Sequence, residues 1–218
     1  MLSCGKSFSN RSFNDVFLKA FKRMFGLRTR LATFALNLAA ILSLSISVSA
    51  SELDNTIVSE TDNQCPALFD HKMKQLHSSQ TLDLCQVVAG RPVLLVNTAS
   101  HCGFTGQLAD LERIHKTYKN QGLVVIGVAS DSFNQEADSE GEIAEVCFKN
   151  FGVSFTMLAP VSVKGDSAHP LYQAIAAQDS FPSWNFFKYL IDRNGKVVSS
   201  SSSFRIPTDT ELQTLLTM

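Results

Sequence analysis

Residues 92–98 contain the unbroken apolar run Val93-Leu94-Leu95-Val96, and this run constrains the fold more than any other stretch of the chain. A strand with one solvated face alternates apolar and polar side chains. A run without polar breaks must be covered on both faces, as in a central strand of a parallel sheet with helices on either side. Residues 123–129 repeat the pattern after a turn at Gln121-Gly122. Between the two runs Leu108, Leu111, Ile114 and Tyr118 recur at spacings of three, three and four, which places them on one face of a helix.

A second helix is predicted over about residues 141–151, burying Ile143, Val146, Cys147 and Phe151, and a third over residues 170–177. Residues 186–191 and 196–200, joined by a tight turn at Asn194-Gly195, read as a β-hairpin. Residues 208–216 read as a closing helix with Thr208 as its capping residue. Strand, helix, strand, helix, hairpin and helix make an α/β layout, a mixed central sheet flanked by helices, which is the pattern of a thioredoxin-like fold.

The 218 residues carry a net charge of −1, with 44% apolar and 18% charged residues. Those values exclude a disordered polyampholyte and a multi-span membrane protein. They also argue against a dedicated nucleic-acid binder, which needs surplus Lys and Arg. The balance conceals two opposed segments. Residues 1–50 hold seven basic side chains against one acid, Asp15, for a net +6, which leaves −7 for the remainder. After Arg30 an uncharged, largely apolar stretch runs to Ser51 and passes through Val48-Ser49-Ala50. A basic region, an apolar stretch and a small-residue exit predict a signal peptide over residues 1–50, cleaved after Ala50, and an exported, periplasmic protein with no stable membrane partner after cleavage. The alternatives are an uncut membrane anchor, for which about 20 residues suffice, and an organellar transit peptide. Met24 is an alternative start that would give a compact signal. Residues 51–64, polar and acidic, read as an exposed leader, and residues 65–218 as one domain with a full core.

Cys102 is the residue best placed for chemistry. It lies just past the carboxyl end of the first buried strand and just before the predicted helix, where open α/β sheets place their ligands. Unpaired backbone N–H groups and the helix dipole there favour a thiolate over a thiol. The competing reading is a small core residue. Gly103 allows a small substrate close to the backbone.

The segment Asn97-Thr98-Ala99-Ser100-His101-Cys102-Gly103-Phe104-Thr105 resembles the catalytic signature of the glutathione peroxidases, with Cys102 in the place of the selenocysteine or cysteine. Gly152-Val153-Ser154-Phe155-Thr156, Ala168-His169-Pro170-Leu171-Tyr172 and the Trp-Asn-Phe-like segment Trp184-Asn185-Phe186 are similar to further family segments and come in the same order. The resemblance implies a thiol peroxidase that reduces hydrogen peroxide or organic hydroperoxides and protects against oxidative stress. Cys102 would attack the peroxide and pass through a sulfenic acid, with Trp184 and Asn185 donating hydrogen bonds. An indole N–H and an amide are both suited to stabilising a thiolate or a developing oxyanion. The family's fourth partner, a glutamine, has no counterpart in Ser130-Asp131-Ser132-Phe133-Asn134-Gln135-Glu136, where the loop is one residue shorter. One alignment puts Ser132 in its place, another Asp131. A serine still donates one hydrogen bond, whereas an ionised aspartate repels a thiolate.

A sulfenic acid must be reduced or capped before it over-oxidises. Cys147 stands where thioredoxin-dependent members of the family can carry a resolving cysteine, although it shares a face with Ile143 and Val146 and also reads as core. Cys65 and Cys85, twenty residues apart, are candidates for a structural disulfide in an oxidising compartment, with a connectivity that sequence alone does not fix. The resemblance further implies a monomer or weak dimer, because the connection from Gln178 to Trp184 lacks the insertion of tetrameric members, and a thiol reductant, either glutathione or a thioredoxin-like protein. No cofactor or metal is expected: a copper or zinc site of Cys102 with His101, His115 or His169 has no close ligand cluster behind it. A dithiol reductase is disfavoured by the single cysteine in Cys102-Gly103-Phe104-Thr105. The non-enzyme alternative is a catalytically weak redox sensor or binding domain.

Overall fold

The computed structural model describes residues 65–218, so the predicted signal peptide and leader lie outside the described residues. In chain order the elements are β1 (Lys72–Lys74), β2 (Thr81–Asp83), α1 (Leu84–Val88), β3 (Val93–Thr98), α2 (Gln107–Tyr118), β4 (Val124–Ala129) and α3 (Glu140–Ala144), which continues as a π-helical segment, Glu145–Asn150. Then follow β5 (Thr156–Leu158), α4 (Pro170–Gln178), β6 (Lys188–Ile191), β7 (Val197–Ser201) and α5 (Asp209–Thr217).

The two apolar runs are β3 and β4, every residue of which is buried. They pair in parallel, Val93 opposite Val124 through Thr98 opposite Ala129. The five-stranded sheet has the order β5-β4-β3-β6-β7, with β6 and β7 antiparallel to their neighbours. It is the mixed sheet of a thioredoxin-like fold. Alternation along β3 divides the core: Leu94 and Val96 pack with Leu108, Leu111 and Ile114 of α2 and Leu212 of α5, whereas Val93 and Leu95 pack with Leu84 and Val88 of α1 and Leu171 and Ile175 of α4. The predicted face of α2 is buried as expected, and Glu112 is buried with it. Desolvation opposes its charge, but Ser154 donates to its carboxylate from both N (2.8 Å) and Oγ (2.6 Å), and its pKa is lowered.

Several boundaries differ from expectation. The helix expected just after Cys102 begins only at Gln107, because residues 102–106 form tight turns in which Thr105 N bonds Cys102 O (3.0 Å) and Gln107 N bonds Phe104 O (2.9 Å). The helix expected over residues 141–151 is α-helical only to Ala144; farther on, Phe151 N reaches back to Val146 O (3.3 Å), which is π-helical spacing. Ile143 and Cys147 are buried there, while Val146 and Phe151 are half-buried. The hairpin strand expected from residue 186 starts at Lys188. The α5 cap is a full capping box, Thr208 with Glu211. The β1–β2 hairpin, α1 and β5 had no expectation attached, since elements of three to five residues are too short to display a period.

Cys65 and Cys85 are joined by a disulfide that ties the segment preceding β1 to α1. Leu68 and Phe69 of that segment are buried beside Leu84 and Val88. Closing a loop of this length contributes about 3 kcal/mol. The double substitution of Cys65 and Cys85 to serine is therefore expected to lower unfolding stability by about 3 kcal/mol in urea titrations and to leave the Cys102 chemistry in place.

Candidate active site

Cys102 is buried and unpaired in the turn that follows β3. The turn is fixed by Thr105, whose hydroxyl accepts from Cys102 N (3.2 Å) and lies within donating distance of Ala99 O (2.9 Å) and Cys102 O (2.7 Å). The sulfur accepts from Phe104 N at 3.5 Å, while the helix whose N-terminus was expected beside Cys102 starts five residues farther on.

Asn97, one residue before the end of β3, organises the opposite wall. Its side chain is fully buried; Nδ2 donates to Trp184 O (3.1 Å) and Oδ1 accepts from Phe187 N (3.1 Å), while its backbone O accepts from Phe186 N (2.7 Å). The loop carrying Trp184 and Asn185 is thus bound to the same strand end that launches Cys102. Phe186 adopts φ +59°, a left-handed conformation that is costly for a bulky residue and persists here under full burial and the Asn97 bonds. Trp184 is 42% exposed and packs against Phe133 at 5.2 Å, so it is not a core aromatic.

Asn185 is fully buried, and its Nδ2 donates to Gln135 Oε1 (3.0 Å). The Gln135 backbone O in turn accepts from His101 N (2.9 Å), beside Cys102. These bonds tie the Trp184-Asn185 loop to the end of β3 through Asn97 and to the residue before Cys102 through Gln135, while the donor on the Cys102 sulfur is Phe104 N and the Asn185 amide is spent on Gln135. Ser132, expected to stand in for the missing glutamine, is held elsewhere: its hydroxyl is bonded to Ser130 Oγ (3.0 Å) and accepts from Val163 N (3.0 Å). Asp131 Oδ1 accepts from Glu136 N (3.1 Å) and so closes the loop on itself. The amide that reaches Asn185 belongs to Gln135, which follows Asn134 at φ +55°. Asparagine tolerates that conformation, and the Asn134-Gln135 pair was the available sequence signal.

Behind the site, Lys188 of β6 is fully buried and bonded to Gln107 Oε1 and Ser203 O. Gln107 Nε2 also donates to Ser203 O (2.6 Å), and Ser203 Oγ donates to Asn185 O (2.6 Å). Burial lowers the Lys188 pKa to about 8, against a smaller opposing effect of Asp110. Cys147 is buried in the same cluster as Cys102. Burial, helped by the negative charge of Glu136, pushes its thiol up to about 12. Of the histidines considered as metal ligands, His115 packs on Phe155 and His169 caps α4, and no group of three metal-ligating side chains occurs among the described residues.

A buried, unpaired cysteine at the carboxyl end of a central strand, with a loop carrying an indole and an amide tied to the same strand end, fits a cysteine-dependent peroxidase built on a thioredoxin-like scaffold. The family profile of the glutathione peroxidases matches residues 68–176, half of the chain. The chain is 48% identical over 115 residues to a glutathione peroxidase of Lactococcus lactis subsp. cremoris, an alignment spanning 50% of this chain and 73% of that protein. It is 43% identical over 124 residues to a glutathione peroxidase-like peroxiredoxin of Schizosaccharomyces pombe, spanning 54% and 78%. Its fold superposes on the crystal structure of apo Trgpx with a TM-score of 0.54 at 30% identity, covering 69% of this chain and 95% of that one. The chain belongs to the glutathione peroxidase family.

Two outcomes test this geometry. Gln135→Ala removes the Asn185 partner, so it is expected to cost about 1–3 kcal/mol of stability and to slow the reaction of Cys102 with peroxide, whereas Ser132→Ala leaves that rate within about twofold; stopped-flow kinetics reads both. Lys188 has a folded pKa below its ordinary 10.5, so the unfolded state binds more protons between pH 8 and 10.5. Across that window the wild type is expected to gain stability relative to Lys188→Met, as measured by urea unfolding at the two ends.

Proposed function

We propose that this thiol peroxidase reduces hydrogen peroxide or organic hydroperoxides through Cys102. The thiolate attacks the peroxide oxygen, leaving Cys102 as a sulfenic acid and releasing water or an alcohol. Trp184 and Asn185 supply the donors that stabilise the thiolate and the departing oxygen. The observation that supports this reading is the set of bonds from Asn97 to the Trp184-Phe187 loop and from Asn185 through Gln135 to His101, which ties the loop carrying the amide and the indole to the strand end that bears the unpaired Cys102.

Cys147 then resolves the sulfenic acid as a Cys102–Cys147 disulfide, and a thioredoxin-like dithiol protein returns both thiols to the reduced form. Joint membership of one core cluster supports the pairing, and the π-helical turn around Cys147 is the kind of irregular segment that opens locally. The protein acts outside the cytoplasm, exported through its amino-terminal 50 residues and working as a monomer against oxidative stress. The Cys65–Cys85 disulfide supports an oxidising compartment. Among the described residues no helix is long and apolar enough to cross a membrane.

The fully reduced protein is expected to consume hydrogen peroxide and Cys102→Ser to lose that activity; negligible consumption by the wild type overturns the reading. With a thioredoxin-type donor, turnover is expected to exceed that with glutathione, and Cys147→Ser to keep the first turnover but lose dithiol-driven cycling. Fractionation of expressing cells and sequencing of the amino terminus checks export, with Ser51 expected as the first residue.

A further inference from the structure

Beside the site lies a buried carboxylate that the reaction with peroxide does not use, that of Glu136. One oxygen, Oε1, accepts from Ser100 N (2.8 Å), Ser100 Oγ (2.5 Å) and Ala137 N (3.0 Å), which fastens Glu136 to the turn that carries Cys102. The other, Oε2, is buried and has no hydrogen-bond partner. The side chain is 9% exposed and lines a cavity of about 420 Å³ whose other walls are His101, next to Cys102, and Glu142, Glu145, Val146 and Asn150, which surround Cys147 in sequence. A carboxylate this deep normally satisfies both oxygens, so a bare oxygen between the two cysteine-bearing segments asks for a transient partner.

We propose that Glu136 is the proton acceptor for Cys147 when that thiol resolves the Cys102 sulfenic acid. This rests on the reading that Cys147 is the resolving cysteine. As the helix loosens, the Cys147 proton passes to Glu136 Oε2. The thiolate attacks the Cys102 sulfur, the S–S bond forms as the S–O bond breaks, and the departing oxygen takes the proton and leaves as water. Cys147 is oxidised and the sulfenic sulfur reduced, with no external reactant. A buried thiol at about 12 is ionised in only about one molecule in 10⁵ at pH 7, so unaided attack would be very slow. Burial also raises the Glu136 pKa above the ordinary carboxyl value, against the opposing Ser100 and Ala137 bonds, and so improves it as a base near neutrality. The charged and titratable groups lining the two cavities that Glu136 borders are His101, Asp131, Asp138, Glu140, Glu142 and Glu145; Glu140 is paired with Lys74.

The test uses the full chain and follows two steps in single-turnover stopped flow: loss of one equivalent of peroxide, and closure of the Cys102–Cys147 disulfide, confirmed by peptide mapping. Glu136→Gln keeps an acceptor for Ser100 and Ala137. It is expected to leave peroxide consumption within about threefold and to slow closure by about 10²-fold or more at pH 7, the deficit shrinking as pH rises and the thiol ionises unaided. In the wild type, closure is expected to rise with pH through a carboxyl ionisation and then level off, a readout that needs no variant. A wild-type closure rate that climbs steadily toward high pH, or closure unchanged in a folded Glu136→Gln protein, overturns the proposal while leaving Cys147 as the resolving residue. Absence of any wild-type Cys102–Cys147 disulfide overturns that reading as well.

Discussion

The Asn97 side chain is the contact on which the site depends. It sits in β3 on the face that Val93 and Leu95 fill with apolar side chains, and burying an amide there is tolerable only because both of its ends are satisfied by backbone groups of the loop before β6. Since β3 also delivers Cys102, one buried residue sets the position of both halves of the site. The left-handed Phe186 lies between the two residues the side chain anchors, and its own N–H donates to the Asn97 backbone O, so these bonds together with full burial offset a conformation that costs on the order of 1–3 kcal/mol. Strain at the site is balanced by hydrogen bonding one strand away.

The two thiols occupy different environments by construction. Cys102 is in a turn with a backbone N–H directed at its sulfur, and the glycine next to it has no atom within 4 Å of where a side chain would start. Cys147 is in a helical core position where burial holds the proton on sulfur. In the resolving role proposed for it, Cys147 would be protected from direct oxidation by the substrate and would become a nucleophile only when the helix yields. The π-helical geometry of residues 145–150 makes that yielding less costly than unwinding a regular helix, because its hydrogen bonds are already displaced from α-helical spacing.

The central layout was legible because it rests on long periodic signals. Two buried strands and an amphipathic helix announce themselves over six or more residues, and the cap at Thr208 needs only local chemistry. What was not legible depends on partners distant in sequence. Glu112 occupies a position on α2 whose charge argues for solvent, yet it is buried because Ser154, forty-two residues later, supplies two donors. Lys188 is a charged residue buried in the middle of the sheet and is accommodated by Gln107 and Ser203. The cysteine, tryptophan and asparagine of the site were found from motif and position, but Asn97 was quoted within a motif without a role, because nothing in its neighbours says which loop it binds.

The Ser130–Glu136 loop shows the same limit most clearly. Aligned by residue type, it offers a serine or an aspartate where an amide is needed, and both prove to be occupied in holding the loop together. The amide arrives three residues later. One left-handed residue at Asn134 reverses the local direction of the chain, so that Gln135 faces Asn185 while its backbone carbonyl remains on His101. In that bond Oε1 accepts, and the donor end of the amide, Nε2, is left out of it. Gln135 therefore holds Asn185 in place and does not supply the donor that the resemblance assigns to the family's glutamine. Which residue of this loop contacts Asn185 depends on how the chain turns at Asn134, and residue type alone does not reveal it.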